Sequence, residues 1–262
     1  MEPAIVKKLT LLNQDFYKNV AREFSATRQF FQPGWQRFWK KITCVKSSLA
    51  LSANLKILDI GCGNGRFLDF LQMQIKNFQY LGIDGNPELL KIANKRLLTK
   101  DNLQINNIRF LQKNISADDN WLKGFKNKYG LFDIIVCFAL LHHIPGFQNR
   151  LLLLQNLRKL LIPGGYLALS LWNFESDARF LEHIISWKDS DLQISVKQLE
   201  SQDFLLTWGN NMKTLRYCHN FTKGEANRIV SQLTGKGRQH SDYFKADGKN
   251  GDLNHYLIFQ AD

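Results

Sequence analysis

The stretch Lys56-Ile-Leu-Asp-Ile-Gly-Cys-Gly-Asn-Gly-Arg-Phe-Leu-Asp-Phe-Leu71 limits what this chain can fold into more than any other. Lys56 to Ile60 is a short apolar run of the kind that becomes a strand buried on both faces. Gly61, Gly63 and Gly65 then predict a tight turn, and Phe67, Phe70 and Leu71 predict one apolar face of a helix starting at Arg66. Strand, glycine turn and helix form a nucleotide-binding turn. Glycines let the backbone pass close to a ligand, and a helix N-terminus offers free N–H groups.

The spacing narrows the ligand. A dinucleotide fingerprint, G-x-G-x-x-G, sets its third glycine inside the helix so that it packs on the strand. Here the pattern is G-x-G-x-G, and Arg66 holds the place of that last glycine. Asp59, just ahead of the loop, suits a ligand with a positive charge, such as an amino acid ammonium group. The combination resembles motif I of the class I S-adenosylmethionine-dependent methyltransferases. The plainer alternative is a glycine turn in an ordinary α/β domain.

At 262 residues, 44% hydrophobic and 12% aromatic, the chain can bury a substantial core in one domain with elaborations. No apolar run is long enough to span a bilayer, and the first eight residues lack the apolar stretch of a signal peptide. Cys44, Cys62, Cys137 and Cys218 are scattered and form no C-x-x-C pair. The expectation is reduced thiols in a cytoplasmic protein with no membrane association and no metal. Net charge is +12. The excess lies in residues 1–55, with nine Lys/Arg against three Asp/Glu, and in residues 207–249, with eight against three. Basic segments outside the nucleotide-binding half point to a polyanion such as nucleic acid, the alternative being solvated lysines.

Along the chain, Asn13 to Phe24 predicts an amphipathic helix, and Trp35 to Val45 a second one after Pro33 and Gly34, its aromatics packing in the core. Tyr80-Leu-Gly-Ile-Asp84 predicts the second strand. Asp84 ends it about 20 residues past the loop, where a carboxylate can accept both ribose hydroxyls of an adenosine. Asn86 and Pro87 start a helix to about Leu98. Ile108–Gln112 predicts the third strand, with Asn114 placed to bond an adenine amino group. Phe132–Phe138 predicts the fourth strand, Leu151–Leu161 a helix, and Pro163-Gly164-Gly165 a turn into a fifth strand, Tyr166–Leu171. Thr222–Leu233 predicts a helix, and His240–Phe244 and His255–Phe259 two more strands. The alternation predicts an α/β fold, a doubly wound, mostly parallel Rossmann-like sheet with the ligand at the carboxyl ends of its strands.

Asp59 to Gly65, Gly82-Ile-Asp84, Asn114 and the Cys137 to Ile144 segment, in order over residues 55–171, resemble a type 11 methyltransferase domain. That resemblance implies a seven-stranded sheet with an antiparallel last strand. It also implies S-adenosylmethionine held by Asp59, Gly61, Cys62, Gly63, Asn64, Gly65, Asp84, Gly85, Asn86, Asn114, Ile115, Cys137 and Phe138. The chain would divide into an N-terminal helical cap over the substrate (1–55), a cofactor-binding core (56–171), a lid insertion (172–221) and a C-terminal helix and strands (222–262).

A narrower resemblance covers more of the chain. Phe16-Tyr17, Ala21 to Arg28, Pro33 and Trp35 resemble the N-terminal signature of the tRNA wobble-uridine carboxymethyl methyltransferases, which esterify 5-carboxymethyluridine in the anticodon. His142-His143, Trp172 and Leu215-Arg-Tyr-Cys-His219 are similar to further segments of that family. Gln32, Cys218 and a short insertion over 172–214 depart from it. The resemblance implies tRNA as partner, and a small zinc-binding activator of eukaryotic relatives as a candidate second one. It assigns catalysis to Arg28, His142, Arg216 and Tyr217, and substrate binding to Tyr17, Thr27, Arg28, His143, Trp172 and Arg216.

Methyl transfer from a sulfonium asks the protein mainly for alignment and a dry site. A carboxylate acceptor is ionised at neutral pH and needs no general base, but it needs a cation to place it. Arg28 and Arg216 are the candidates, since a guanidinium grips a carboxylate at two points. Tyr17, Trp172 and Tyr217 are the aromatics available to stack on a flipped base, with core packing as the alternative.

Overall fold

The computed structural model describes residues 1–44, 54–98, 107–115, 121–209, 211–234 and 241–262. Helices α1 (Pro3–Ala26) and α2 (Pro33–Cys44) lead into β1 (Leu55–Ile60), α3 (Arg66–Gln74), β2 (Phe78–Asp84), α4 (Pro87–Leu98), β3 (Ile108–Gln112), α5 (Phe125–Tyr129) and β4 (Phe132–Phe138). Then follow α6 (Phe147–Arg158), β5 (Leu161–Trp172), α7 (Ala178–Leu181), β6 (Ile184–Ile185), β7 (Asp203–Trp208) and β8 (Asn211–His219). The chain closes with α8 (Lys223–Thr234), β9 (Ser241–Ala246) and β10 (Asn254–Gln260).

The main sheet has seven strands in the order β3-β2-β1-β4-β5-β10-β9. All its pairings from β3 to β5 are parallel, and β10 runs antiparallel to both neighbours. Side chains alternate along a strand, so a sheet covered on both sides needs apolar residues at successive positions. In β4, Ile135 and Cys137 face a core shared with α6 and α8, and Ile134 and Val136 face a core shared with α2 and α3. The expected Rossmann-like sheet with its antiparallel last strand is present.

Several boundaries differ from the sequence reading. α1 begins ten residues before the expected Asn13, because Ile5 and Leu9 continue its apolar face onto the inserted segment. That segment is a small three-stranded antiparallel sheet, β6-β7-β8, which α1 packs against. α2 is a layer of the main core, where Trp35, Phe38, Trp39 and Ile42 are all buried. α6 ends at Arg158, and Leu161 already pairs with Phe132 in β5. The Pro163-Gly164-Gly165 turn sits inside β5 as an irregularity, since Ile134 next pairs with Tyr166. The expected strand from His240 and the helix end at Val45 touch positions outside the described residues.

Candidate active site

A cavity of about 710 Å³ opens at the carboxyl ends of β1 to β5, under α1. The glycine loop forms its floor. Gly61 has φ +78°, and a Cβ there would stand 3.0 Å from Leu140. Gly63 has φ +54°, with open space where a Cβ would point, so the room is on the ligand side. The Gly63 and Asn86 N–H groups donate to the two oxygens of Asp84, at 2.9 and 2.8 Å. Burial raises the Asp84 carboxyl, and those backbone bonds pull it back toward the ionised form. Asp59 accepts the Tyr80 hydroxyl at 2.6 Å. Burial nevertheless pushes its carboxyl up to about 7. Asn64 donates to Ser25 at 2.9 Å, which ties the glycine loop to the end of α1.

Asp59, Gly61, Cys62, Gly63, Asn64, Asp84, Gly85, Asn86, Asn114, Ile115 and Phe138 all line the cavity. Gly65 and Cys137, also expected at the cofactor, do not line it. Gly65 is held close to Ala93 of α4, where a Cβ would come within 3.1 Å. Cys137 alternates away from the site into the core beside α6.

The far end of the cavity is built by α1. Tyr17, Arg28 and His143 line it, together with Asn13, Gln14 and Lys18. The Tyr17 hydroxyl lies 2.7 Å from His143 Nε2. Burial pushes Tyr17 up to about 12, and burial followed by the Arg216 charge holds His143 down at about 3. The Arg28 guanidinium lies 4.7 Å over the Phe24 ring. Burial and then the like charge of Arg216 lower it below the usual arginine range.

Arg216, His142 and Trp172 stand behind this wall rather than in it. Arg216 is 4% exposed, with its guanidinium carbon 5.3 Å from the Phe16 ring and 5.2 Å from the Trp172 ring. Among the described residues it has no carboxylate partner, and its Nε has no hydrogen-bond partner. His142 is buried between His143 and Trp172, with Nδ1 unpartnered. Thr27 is exposed; its hydroxyl donates to the Phe24 carbonyl and accepts from Arg28.

Tyr217 is a correction. It is fully buried on the opposite face of β8 from Arg216, and its hydroxyl donates to Asp203 at 2.7 Å, inside the lid. Successive residues of a strand face opposite ways, so Arg216 and Tyr217 cannot both serve one site.

The structure adds lining residues that sequence reasoning missed. Ala139 has φ +54°, a left-handed conformation that non-glycine residues seldom adopt, and its N–H donates to Ser170 Oγ at 2.8 Å. Ser170 is the one polar residue in the run Tyr166–Leu171, a usable signal; Ala139 gives none. Arg66 lines the cavity, donates to the Phe30 carbonyl at 2.7 Å and lies 4.8 Å over Trp35.

Residues 58–167 match the family model Methyltransf_12, described as a methyltransferase domain. An uncharacterised protein of Rickettsia prowazekii, RP028, is 30% identical over 184 residues, 66% of this chain and 67% of that protein. The tRNA (carboxymethyluridine(34)-5-O)-methyltransferase of Schizosaccharomyces pombe is 24% identical over 236 residues, 86% of this chain and 88% of the yeast protein. The mouse tRNA (carboxymethyluridine(34)-5-O)-methyltransferase ALKBH8 is 27% identical over 164 residues, 62% of this chain but only 20% of the mouse protein. The crystal structure of an S-adenosylmethionine-dependent methyltransferase from Clostridium acetobutylicum shares the fold, with TM-score 0.59 at 13% identity over 95% of this chain and 98% of that one.

Residues 58–167 form a methyltransferase domain, and the chain has the fold of the S-adenosylmethionine-dependent methyltransferases. Its cofactor is S-adenosylmethionine. The open side of Gly63 and the carboxylates of Asp59 and Asp84 along one cavity fit that molecule's bulk and charge. Among the described residues no helix is long and apolar enough to cross a membrane.

Proposed function

We propose that this chain esterifies the carboxylate of 5-carboxymethyluridine at the tRNA wobble position. One observation carries the reading: Arg28 lines the α1 end of the cavity, Arg216 is buried behind it between Phe16 and Trp172, and neither has a carboxylate partner among the described residues. Two unneutralised guanidiniums in a desolvated place are costly unless an anion joins them. The yeast and mouse relatives named above supply the substrate class.

S-adenosylmethionine brings the activated methyl group on a sulfonium, and the acceptor carboxylate is already the nucleophile. The chain's residues therefore hold and align. Arg28, in the cavity wall, meets the carboxylate and Arg216 adds its charge from behind that wall, Asp84 meets the cofactor's ribose, and Asp59 faces its ammonium. His142 and His143 are both held neutral, chiefly by burial, so neither adds a charge to the carboxylate's surroundings. The N-terminal and C-terminal basic segments bind the tRNA backbone, in the cytoplasm, and a small zinc-binding activator is a candidate second partner.

Two expected outcomes follow for the cofactor end. Asp84→Asn keeps a hydrogen-bond acceptor but loses the charge that orders Gly63 and Asn86, so S-adenosylmethionine binds about tenfold more weakly by calorimetry. Asp59 is half protonated near pH 7 in the free chain. A cationic ammonium favours its ionised form, so cofactor affinity rises from pH 6 to pH 8 and this rise is absent in Asp59→Asn.

The cellular test compares tRNA nucleosides with and without the gene. Loss of the methyl ester with accumulation of 5-carboxymethyluridine supports the reading. An unchanged nucleoside profile with altered small-molecule methylation would replace it.

A further inference from the structure

Tyr17 and His143 share a proton at the acceptor end of the cavity, and the partners of His143 decide which of them donates. Nε2 lies 2.7 Å from the Tyr17 hydroxyl. Nδ1 faces the Tyr217 carbonyl oxygen at 3.2 Å, an atom that only accepts. Asn13 fixes the rest. Its Oδ1 accepts the Tyr217 N–H at 2.8 Å, which sets the orientation of the amide. Its Nδ2 donates to the Tyr217 and His143 carbonyl oxygens at 3.1 and 3.3 Å, both nearer than Nδ1 at 3.4 Å. Cys218 Sγ is farther from Nδ1, at 3.9 Å. The tautomer assigned from these partners has its hydrogen on Nδ1 and its lone pair on Nε2.

The consequence reaches the cavity. Nε2 takes the single hydrogen of the Tyr17 hydroxyl, so the phenol oxygen shows the cavity lone pairs only. A carboxylate cannot rest against it and is left to Arg28. What can rest against it is an N–H. We infer that Tyr17 is a specificity-determining residue for the acceptor base, accepting the ring N–H on the pairing edge of uracil and rejecting cytosine, whose ring nitrogen there carries a lone pair. The inference rests on the uridine acceptor proposed above and adds the means by which the base is chosen.

Two anticodon stem-loops that differ only in the acceptor, 5-carboxymethyluridine or 5-carboxymethylcytidine, test it with methyl-labelled S-adenosylmethionine. The wild-type chain is expected to favour the uridine by about tenfold or more in kcat/KM, the cost of facing two lone pairs. Tyr17→Phe removes the oxygen and brings the two substrates to within about twofold, with cofactor binding unchanged. A Tyr17→Phe chain that keeps the full preference overturns the inference while the proposed function stands. No label in either stem-loop from the wild type overturns both. A second measurement needs no RNA and no variant: nitrogen-15 NMR of the His143 ring. A hydrogen on Nδ1 is expected, and a hydrogen on Nε2 overturns the inference by itself.

Discussion

Arg216→Met lowers kcat/KM for the tRNA acceptor on the order of 100-fold and leaves S-adenosylmethionine affinity nearly unchanged, because the acceptor carboxylate loses the attraction of a buried, unneutralised charge behind the cavity wall, about 3 kcal/mol. Methionine keeps an unbranched apolar side chain in the slot between Phe16 and Trp172 and removes the guanidinium with its charge. Burial of an arginine without a carboxylate is a cost to the free chain, so the same variant is expected to be as stable as wild type or more so in thermal denaturation. That combination, a lost reaction with retained stability, separates an arginine that serves the acceptor through its charge from a structural one. An Arg216→Met chain with full activity would remove the carboxylate site from the account.

The largest expected loss of stability is at Arg150. Its side chain is 1% exposed and lies between Glu200 of the lid and Glu225 of α8. It also donates to the Ile144 carbonyl at 3.0 Å. His219 completes the cluster, 2.7 Å from Asp203 and 2.6 Å from Glu225. Glu200, Asp203 and His219 lie close enough together to suit a metal ion, but the Arg150 guanidinium already stands among them. Arg150→Met leaves these acids without their cation and costs about 3–5 kcal/mol, which in a chain of this size lowers Tm by roughly 10 °C. Adding Glu225→Gln to Arg150→Met is expected to recover part of it. The pH dependence has a definite sign. Burial alone lowers the His219 pKa, but hydrogen bonds to Asp203 and Glu225 outweigh it and raise the value above 6.5. The stability His219 contributes is therefore full below pH 6.5 and is lost as pH rises through the raised value. His142 and His143 act in the opposite direction, since both are lowered: their contribution is full above pH 6.5 and is lost on acidification.

What the sequence made legible was set by local pattern. The strand Phe132–Phe138 is found where its apolar run lies, because a strand covered on both faces writes its length directly into hydrophobicity. The glycine loop was legible because positive φ angles at Gly61 and Gly63 leave few other residues that would serve. The first turns of α1 were not, because the partners of Ile5 and Leu9 include Leu205 and Tyr217 of a lid sheet far along the chain. Motif likeness carried Tyr217 into the site, whereas the alternation of β8 turns it away. Read as a strand, Leu215-Arg-Tyr-Cys-His219 assigns Arg216 and Cys218 to one face and Tyr217 and His219 to the other. Asn13 was legible only as a polar residue on an apolar helix face, and it is the side chain that joins α1 to β8 and sets the His143 ring.

The most direct measurement combines the purified chain, methyl-labelled S-adenosylmethionine and bulk tRNA from cells lacking the gene, with the digested nucleosides read by mass spectrometry. Label in a base-labile methyl ester of 5-carboxymethyluridine is the predicted result. Label on any other nucleoside, or on none while the cofactor binds, would contradict the account.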